Sequence, residues 1–412
     1  MDDPGAYERA RRAGATCRRR SARRRRTAAL GVLLVALAAG GYALARNQSG
    51  APASAANPSS LAHPTTGGGP FAQTASSAGS TSVTGSTRAA TSPPPTGTVS
   101  LAAVGDTMLG NTPTLPPDPG AYFDRVRSAL AGQIVFGNLE GTLTDRADGK
   151  CAGAAGGTCF AFRAPPSYAR YLCRAGFTIL SNANNHSFDY WQPGQDDTVR
   201  ALHRAGLAQT GLPHEVTVVR AGRLRVAFVG FAPYSDTAPL LDPAAAAALI
   251  HRADRMADVV VVVIHAGAEG VGAEHVTGSE ETYLGEDRGN PEAFAHMAVD
   301  DGADLVLGSG PHVLRGMELY HHRLIAYSLG NFAGYHNFSL DGALATSVIL
   351  EAKLNADGSF RRGRLLSVRL VGAGQPEFDP SGAGAGLVAT LSRDDLGRHG
   401  ATISAAGAIT RS

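Results

Sequence analysis

From Val99 onward, short runs of valine, isoleucine and leucine alternate with longer segments in which apolar residues recur at helical spacing. Short apolar runs between glycine and polar clusters are typical of buried strands. Strands are predicted at Val99–Val104, Ile134–Gly137, Thr178–Ser181, Leu224–Phe231, Val259–Ile264, Leu305–Leu307 and Leu324–Ser328. Helices are predicted at Tyr122–Leu130, Ser167–Ala175, Gly194–Ala205, Pro243–Arg255 and Pro291–Asp300. The alternation predicts an α/β fold in which helices pack against sheets.

The C-terminal part of the chain follows a different pattern. Two β-rich runs, Ala345–Leu354 and Arg364–Val371, flank the turn-forming cluster Asn355–Gly358, which predicts a β-hairpin. A last helix at Gly384–Ser392 and a short strand near Thr402 complete the predicted domain.

The N-terminal part contains one long apolar segment. Thr27–Ala45 is apolar and uncharged over about 19 residues, which at ~1.5 Å per residue nearly spans a hydrocarbon core of ~30 Å. Arginines cluster before it at Arg18–Arg20 and Arg23–Arg26. The pattern predicts a basic cytoplasmic segment (1–26), a transmembrane anchor (27–45) and an extracytoplasmic remainder of a single-pass cell-membrane protein. A cleaved signal peptide, which would make the protein secreted, is the alternative because Ala43-Leu-Ala45 matches an A-x-A cleavage site.

Residues 46–98 consist mainly of serine, threonine, glycine, alanine and proline. Such a composition cannot bury enough apolar surface to offset the entropy of ordering, so a disordered linker is predicted. Residues 99–412 then form one domain, long enough for a large core. The net charge is +2 and much of the positive charge precedes residue 27, so a nucleic-acid partner is not predicted.

Two of the four cysteines, Cys151 and Cys159, flank a loop of glycine and alanine. They are predicted to form a disulfide in an oxidising compartment, the alternative being two free thiols in a flexible loop. A metal site built on these two cysteines is not predicted, because no histidine or second cysteine pair lies nearby at zinc-finger spacing.

Carboxylates follow two of the predicted strands. Asp106 ends the first strand, and Glu140 ends Gly137-Asn-Leu-Glu140 after the second. Carboxylates at the same edge of a sheet can converge on a divalent cation. Each residue alone would more often be a helix cap or a turn residue.

Histidines and asparagines follow later strands in the same way. Asn185 and His186 lie in Asn184-Asn185-His186, and His265 directly follows a buried run, with Glu269 four residues later. His312 follows a turn rich in glycine and proline. Asparagine and histidine supply metal ligands or proton donors, and a glutamate can orient a ligating histidine. The alternative for the asparagines is a turn in which their side chains bond their own backbone.

Other catalytic chemistries lack their motifs. The sequence contains no Gly-x-Ser-x-Gly elbow, no Walker loop and no Gly-x-Gly-x-x-Gly at a strand-to-helix turn. Ser309 lies between glycines but has no evident His/Asp partner as a nucleophile. The pair His321-His322 is predicted to be an exposed turn between two strands.

The chain resembles the CapA capsule-synthesis proteins, which are linked to poly-γ-glutamate production. The motifs that carry the resemblance are Gly-Asp106, Gly-Asn-Leu-Glu140, Ala-Asn-Asn-His186, His265-x-Gly-x-Glu269, Asp304-x-Val-x-Gly308, Pro-His312-Val and Tyr327-Ser-Leu-Gly-Asn-Phe332. The resemblance implies the calcineurin-like metallophosphoesterase superfamily, whose fold is a four-layered αββα sandwich with metal ligands on loops after the strands.

The same resemblance implies roles for individual residues. The implied metal ligands are Asp106, Glu140, Asn185, His265 and His312. His186 would donate a proton to a leaving group, and Asn331 and Glu269 would contact the substrate. The implied cofactor is one or two divalent ions of manganese, zinc or iron.

Two departures from the family pattern leave the activity open. Many relatives read Gly-x-His-Pro-His, whereas Gly310 replaces the first imidazole here, and the Asp-x-His of ordinary metallophosphoesterases is absent after Asp106. The leading hypothesis is a membrane-anchored, metal-dependent phosphoesterase-like hydrolase of capsule or cell-envelope polymer metabolism. The alternative is a non-catalytic accessory protein that holds an anionic polymer while membrane synthase or export partners act on it. An amidase or peptidase acting on poly-γ-glutamate is a third hypothesis, for which no nucleophile is found.

Overall fold

The structure is a computed structural model that describes residues 96–153 and 159–410. The predicted segments 1–26 and 27–45, and nearly all of the predicted linker 46–98, lie outside these residues. Within the described residues the fold is mixed α/β, as predicted.

The predicted single-pass membrane localisation needs correction. None of the helices within 96–153 and 159–410 is both long enough and apolar enough to cross a bilayer.

Twenty-one short strands are present in the described part of the chain. In chain order they are β1 (Thr98–Met108), β2 (Ile134–Leu139), β3 (Thr142–Leu143), β4 (Arg163–Ala164), β5 (Ile179–Ser181), β6 (Ala208–Thr210), β7 (Thr217–Ala221), β8 (Leu224–Ala232), β9 (Ala238–Pro239), β10 (Val259–His265), β11 (Thr282–Tyr283), β12 (Glu286–Asp287), β13 (Leu305–Ser309), β14 (Met317–Tyr320), β15 (Arg323–Ala326), β16 (Asn331–Gly334), β17 (Thr346–Asn355), β18 (Phe360–Val371), β19 (Gln375–Phe378), β20 (Thr402–Ile403) and β21 (Ala408–Thr410).

Two large sheets contain most of these strands. The first sheet has ten strands in the order β20-β21-β18-β17-β1-β2-β5-β6, with β16 also paired to β1 and β19 to β18. The second has seven, in the order β14-β15-β13-β10-β8-β7, with β9 paired to β8. The strands β1, β2 and β5 run parallel to one another, as do β8, β10 and β13. Parallel neighbours place their carboxyl ends at the same edge of a sheet.

The helices connect the strands. They are α1 (Ala169–Ala175), α2 (Trp191–Ala205), α3 (Pro243–Met256), α4 (Pro291–Asp300) and α5 (Ala383–Leu396), with short 3-10 turns at Pro166–Tyr168, Gly342–Ala345 and Gly397–His399. Proline at the first helical position and a side-chain cap define two of the helix starts. Asp242 accepts a hydrogen bond from Ala245 N at the start of α3, and Asn290 accepts one from Ala293 N at the start of α4.

Alternation along β10 shows how the layers are packed. Val259, Val261 and Val263 face an apolar cluster between the two sheets, where Phe136 of the first sheet stacks on Phe228 of the second. The intervening residues of β10 face a separate cluster with α3 and α4. A third cluster joins the other face of the first sheet to α1 and α2. Because β10 is buried on both faces, its sequence is a continuous apolar run.

One predicted helix is wrong. The segment Tyr122–Leu130 forms consecutive turns, in which Val126 N donates to Phe123 O and Ala129 N donates to Val126 O. Its apolar residues are buried in the cluster beside α1, so the pattern that suggested a helix reflects burial at intervals of three residues.

Both turn predictions are confirmed. The strands β17 and β18 pair antiparallel across the predicted hairpin. His321 and His322 form the exposed two-residue connection between β14 and β15, with φ of 47° and 63°. Two successive positive φ values are typical of a type I′ hairpin turn. The Cys151–Cys159 disulfide is also present, with an S–S distance of 2.06 Å.

Asp304 makes the fold sensitive to pH. Its carboxylate, near the start of β13, accepts a hydrogen bond from Val260 N and pairs with Arg323 Nε at 3.0 Å. Burial nevertheless raises the pKa of Asp304 from 3.8 to about 6. Its family-motif position therefore has a structural role at the amino end of the strand, away from the edge that carries the other motif residues.

We expect the stability of wild type to fall relative to Asp304→Asn between about pH 4 and pH 6. The pKa of Asp304 is higher in the folded state than in the unfolded state, so protonation of its carboxyl stabilises the folded state. This stabilisation is fully present below the unfolded-state pKa and is lost as the pH rises through the folded-state pKa. At about 1.36 kcal/mol per pKa unit, the difference reaches roughly 3 kcal/mol. Urea denaturation of both proteins across this range measures it, and parallel pH profiles would contradict it.

Candidate metal centre

The site begins with Asp106 at the end of β1. The strand lies between β2 and β16, and the register places Asp106 beside Asn138 on one side and Asn331 on the other. The close approach requires glycine before it, because a Cβ at Gly105 would lie 1.8 Å from the carbonyl oxygen of Gly330. The local sequence thus fixes the carboxylate at the carboxyl edge of the first sheet.

Asn138 connects this carboxylate to two other motifs. Its Nδ2 donates to Asp106 Oδ1 at 2.8 Å and lies 3.4 Å from His265 Nδ1 at the end of β10. Its Oδ1 accepts from Asn184 Nδ2 at 3.1 Å. The buried amide therefore joins the ends of β1 and β10 to the loop after β5.

His312 completes a compact acidic group. Its Nδ1 donates toward Asp106 Oδ2 at 3.1 Å and Asn331 Oδ1 at 2.9 Å, and its Nε2 lies 3.5 Å from Glu140 Oε1. The residue has a φ of 61°, in the left-handed region, where histidine is enriched among non-glycine residues. One ligand atom each from Asp106, Glu140 and His312 lies within 4.8 Å of the others, which is a spacing that can hold a metal ion.

Several of the candidate ligands carry buried atoms without hydrogen-bond partners. Among the residues that the structure describes, nine buried side-chain nitrogen and oxygen atoms lack one. Four of the nine are both carboxylate oxygens of Glu140, Oδ1 of Asn185 and Nε2 of His265. Buried polar atoms are nearly always satisfied, so unsatisfied acceptors on these residues are typical of ligands for a cation.

The donor set fits a divalent cation. Carboxylate, amide oxygen and imidazole ligands suit manganese, zinc and iron, and no thiolate is among them. His265 can present Nε2 as an acceptor, because Ser309 Oγ lies 3.3 Å from its Nδ1 and can accept a hydrogen bond from an N–H there. That contact also gives Ser309 a supporting position in place of a nucleophilic one.

The carboxylates of the centre change one another's pKa and that of His312. Burial raises the pKa of Glu140 well above its usual range, and repulsion from Asp106 raises it further. Burial alone would lower the pKa of His312, but Glu140, Asp106 and Glu269 together raise it to about 10. The imidazolium form balances these carboxylates without a metal ion, and a bound cation would replace that charge while His312 binds it in the neutral form.

Burial and the nearby charge of Arg288 lower the pKa of His265 well below its usual range. The neutral imidazole is the form that binds a metal ion, so burial prepares this side chain as a ligand.

The imidazole of His186 is held by an aspartate and an aromatic ring. Its Nδ1 donates to Asp189 Oδ2 at 2.9 Å, and the ring of Phe162 packs edge-on against the imidazole at 4.5 Å. Asp189 is fully buried and pairs with Lys150 Nζ at 2.7 Å. The contact at Nδ1 leaves Nε2 as the atom that can exchange a proton with a substrate.

Glu269 lies between the acidic group and a buried arginine. Its Oε2 is 3.7 Å from His312 Nε2, and its Oε1 accepts a hydrogen bond from Arg288 Nη2. Asn331, the other residue predicted to contact substrate, accepts from His312 and donates to Leu344 O at 3.1 Å. The structure thus brings both residues to His312.

Sequence reasoning assigned no role to three residues of the site. Asn138 lies inside the motif Gly-Asn-Leu-Glu140, and Asp189 lies three residues after His186. Arg288 gave no signal, because it contacts Glu269 from 19 residues away through a loop with no strand or helix motif.

The glycine at position 310 has a backbone explanation. Gly310 has a φ of 114°, and a Cβ there would lie 2.9 Å from Ala266 N and 3.1 Å from Ala266 O. An imidazole cannot be added at this position without moving the loop after β10, so the first histidine of the Gly-x-His-Pro-His pattern has no room here.

Comparison with known proteins gives a family. The sequence model for the bacterial capsule synthesis protein PGA_cap matches residues 100–335. The chain is 29% identical over 255 residues to the PGA biosynthesis protein CapA of Bacillus subtilis, covering 57% of this chain and 63% of that protein. It is 32% identical over 178 residues to the capsule biosynthesis protein CapA of Bacillus anthracis, covering 38% of this chain and 40% of that protein.

Two further similarities are more distant. A probable polyglutamine synthesis accessory protein of Mycobacterium tuberculosis is 27% identical over 228 residues, covering 49% of this chain and 55% of that protein. Each of these three relatives is therefore matched over less than two thirds of its length. Among solved structures, purple acid phosphatase PPD1 from yellow lupin seeds is similar with a TM-score of 0.33 and 11% identity, covering 68% of this chain and 52% of that chain.

Proposed function

This chain belongs to the bacterial capsule synthesis protein PGA_cap family, and we propose that it acts in capsule or poly-γ-glutamate synthesis as a metal-dependent phosphoesterase-like hydrolase. The observation that carries the proposal is the cluster of Asp106, Glu140 and His312, whose ligand atoms lie within 4.8 Å of one another. Among the described residues, both oxygens of buried Glu140 and Nε2 of buried His265 also lack a hydrogen-bond partner. Manganese, zinc or iron, as one or two ions, suits these ligands.

The proposal includes a fold type. Residues 99–412 would form a four-layered αββα sandwich of the metallophosphoesterase type. The three apolar clusters support it, because one lies between the sheets and the others join each sheet to helices. Candidate ligands at the carboxyl ends of β1 and β10 fit the same type.

The residues of the chain divide the chemical work. A bound divalent cation would act as a Lewis acid on a phosphoryl oxygen. Asp106, Glu140, Asn185, His265 and His312 would hold it. His186 would donate a proton from Nε2 to the leaving-group oxygen, with Asp189 fixing the ring through Nδ1. Asn331 and Glu269 would contact the substrate beside His312.

A second candidate function is an accessory protein without turnover, which would hold an anionic polymer for synthesis or export partners. Gly310 favours it, because its backbone leaves no room for the first imidazole of the Gly-x-His-Pro-His pattern. The M. tuberculosis relative, described as a probable accessory protein of polyglutamine synthesis, agrees with this alternative.

Metal content and hydrolysis together separate the two functions. We expect the full chain, purified without chelator, to carry roughly one or two equivalents of metal by elemental analysis. It should hydrolyse bis-(p-nitrophenyl) phosphate, and Asp106→Ala should lose both the metal and the hydrolysis. No bound metal after reconstitution with manganese, zinc and iron would favour the accessory function, as would bound metal without hydrolysis.

A further inference from the structure

The loop between β10 and α4 carries a small β-hairpin, β11–β12, next to the metal centre. Two arginines pair with glutamates at its base. Arg315 makes a two-pronged contact with Glu281, through Nη1 at 2.8 Å and Nη2 at 2.7 Å. Arg288 contacts Glu269 through Nη2. Both arginines are almost fully buried, so each needs compensation for its desolvated charge.

The two arginines differ in how completely they are satisfied. Arg315 also donates from Nε to Ala273 O at 2.7 Å, so each of its three guanidinium nitrogens has an acceptor. Arg288 donates from Nη1 to the Tyr234 hydroxyl, but its Nε is buried without a hydrogen-bond partner in the described part of the chain. Glu286 Oε2 lies 3.6 Å from that Nε. Only 2% of Arg288 is exposed, so solvent is a poor substitute for the missing acceptor.

The guanidinium of Arg288 is also held in place. Its central carbon lies 5.7 Å from the ring centroid of Tyr234 and 5.6 Å from that of Tyr283, within the range of cation–π attraction. A fixed guanidinium presents its N–H groups in a planar fork, which matches the oxygens of phosphate and carboxylate.

The position of Arg288 connects it to the metal centre. Glu269 contacts Arg288 with one oxygen and approaches His312 Nε2 with the other. After burial, the charge of Arg288 is the next cause of the lowered pKa of His265. The guanidinium therefore lies one side chain away from the candidate metal ligands.

We propose that Arg288 binds an anionic oxygen group of the substrate, a phosphoryl or a carboxylate oxygen, beside the metal centre. Glu269 occupies the guanidinium when no substrate is bound, and it competes with the substrate's oxygen group for that guanidinium. This inference rests on the proposed function in taking its ligand from the substrate of that site. A purely structural ion pair would instead need both partners equally.

Opposite effects of two substitutions test the proposal. Anion binding to the full chain is measured by isothermal titration calorimetry at saturating manganese, with inorganic phosphate and separately with a γ-linked glutamate oligomer. We expect Arg288→Gln to weaken binding of the preferred anion by about tenfold or more, because a charge-assisted contact is lost. Glu269→Gln should bind the same anion more tightly than wild type, because the competing charge is removed.

Matched variants make the result specific. Arg225 lies near the start of β8 and pairs with Asp258 at 2.9 Å. Arg225→Gln controls for the loss of one arginine and should change the affinity less than twofold. Arg288→Lys keeps the charge without the planar fork and should be weaker than wild type. Circular dichroism verifies folding, and if Arg288→Gln fails to fold, Arg288→Lys and Glu269→Gln still decide.

The outcomes distinguish this inference from the proposed function. Tighter binding of phosphate supports a phosphoryl group as the ligand, and tighter binding of the oligomer supports a carboxylate. Unchanged affinity in Arg288→Gln, equal weakening in Glu269→Gln, or no anion binding by wild type overturns the inference. If wild type holds no metal, the proposed function fails, while the same titrations on metal-free protein still test Arg288.

Discussion

Removing divalent metal from the full chain should lower its free energy of unfolding by about 4 kcal/mol, relative to protein with free metal roughly 1,000-fold above the dissociation constant. The reason is that the metal binds only the folded state, in which the ligands are held together. Glu140 is fully buried and neither of its oxygens has a hydrogen-bond partner among the described residues. A cation compensates for this burial only in the folded state. Urea denaturation with and without chelator measures the difference.

Glu140→Gln should nearly abolish this metal-dependent stabilisation. Without metal the variant should be at least as stable as wild type, because burial and Asp106 already oppose ionisation of Glu140. Glu318 offers a matched control, since it is also buried but accepts hydrogen bonds from Tyr327 at 2.7 Å and contacts His296 at 2.8 Å. Glu318→Gln should lose stability equally with and without metal. Equal metal dependence in wild type and Glu140→Gln would show that the cation binds elsewhere.

The predictability of the fold followed from burial on two faces. The strand Val259–His265 is apolar at every position before its final histidine, because successive side chains face two different apolar clusters. That pattern is readable without a structure. Short strands such as Ala208–Thr210 and Gln375–Phe378 were missed, because three or four residues with polar members carry no such signal. The segment Tyr122–Leu130 misled for the opposite reason, since its buried turns imitate helical spacing.

The candidate site was partly predictable for a topological reason. Parallel strands end at the same edge of their sheet, so polar residues at the ends of neighbouring strands, such as Asp106 and Asn138, are expected to be neighbours. The approach of His265, which ends a strand of the second sheet, depends on how the two sheets pack. The sequence did not predict the contacts that distant loops make with residues of the site. Arg288 reaches Glu269 only because the hairpin β11–β12 folds back, and Lys150 reaches Asp189 from beside the disulfide. No local pattern encodes such contacts, because they depend on where a loop returns.

His186→Asn should reduce phosphoester hydrolysis by about 10²- to 10⁴-fold while leaving the metal content unchanged. His186 Nδ1 is occupied by Asp189, so the free Nε2 is its proton-exchanging atom, and asparagine keeps a polar side chain without that proton. The loss should fall on kcat more than on KM, because a proton donor acts in the transition state. His251→Gln is the control, since His251 also pairs with an aspartate, Asp301 at 3.0 Å, on an exposed surface.

Asp189→Asn separates positioning from proton transfer. The variant keeps His186 but removes the buried charge that orients it, so we expect a smaller loss of kcat than in His186→Asn. A leaving group of low pKa needs little protonation and should recover most of the rate in both variants. If substrates with good and poor leaving groups lose rate equally in His186→Asn, His186 acts through binding or metal support instead. That outcome would move the proton donor to another residue.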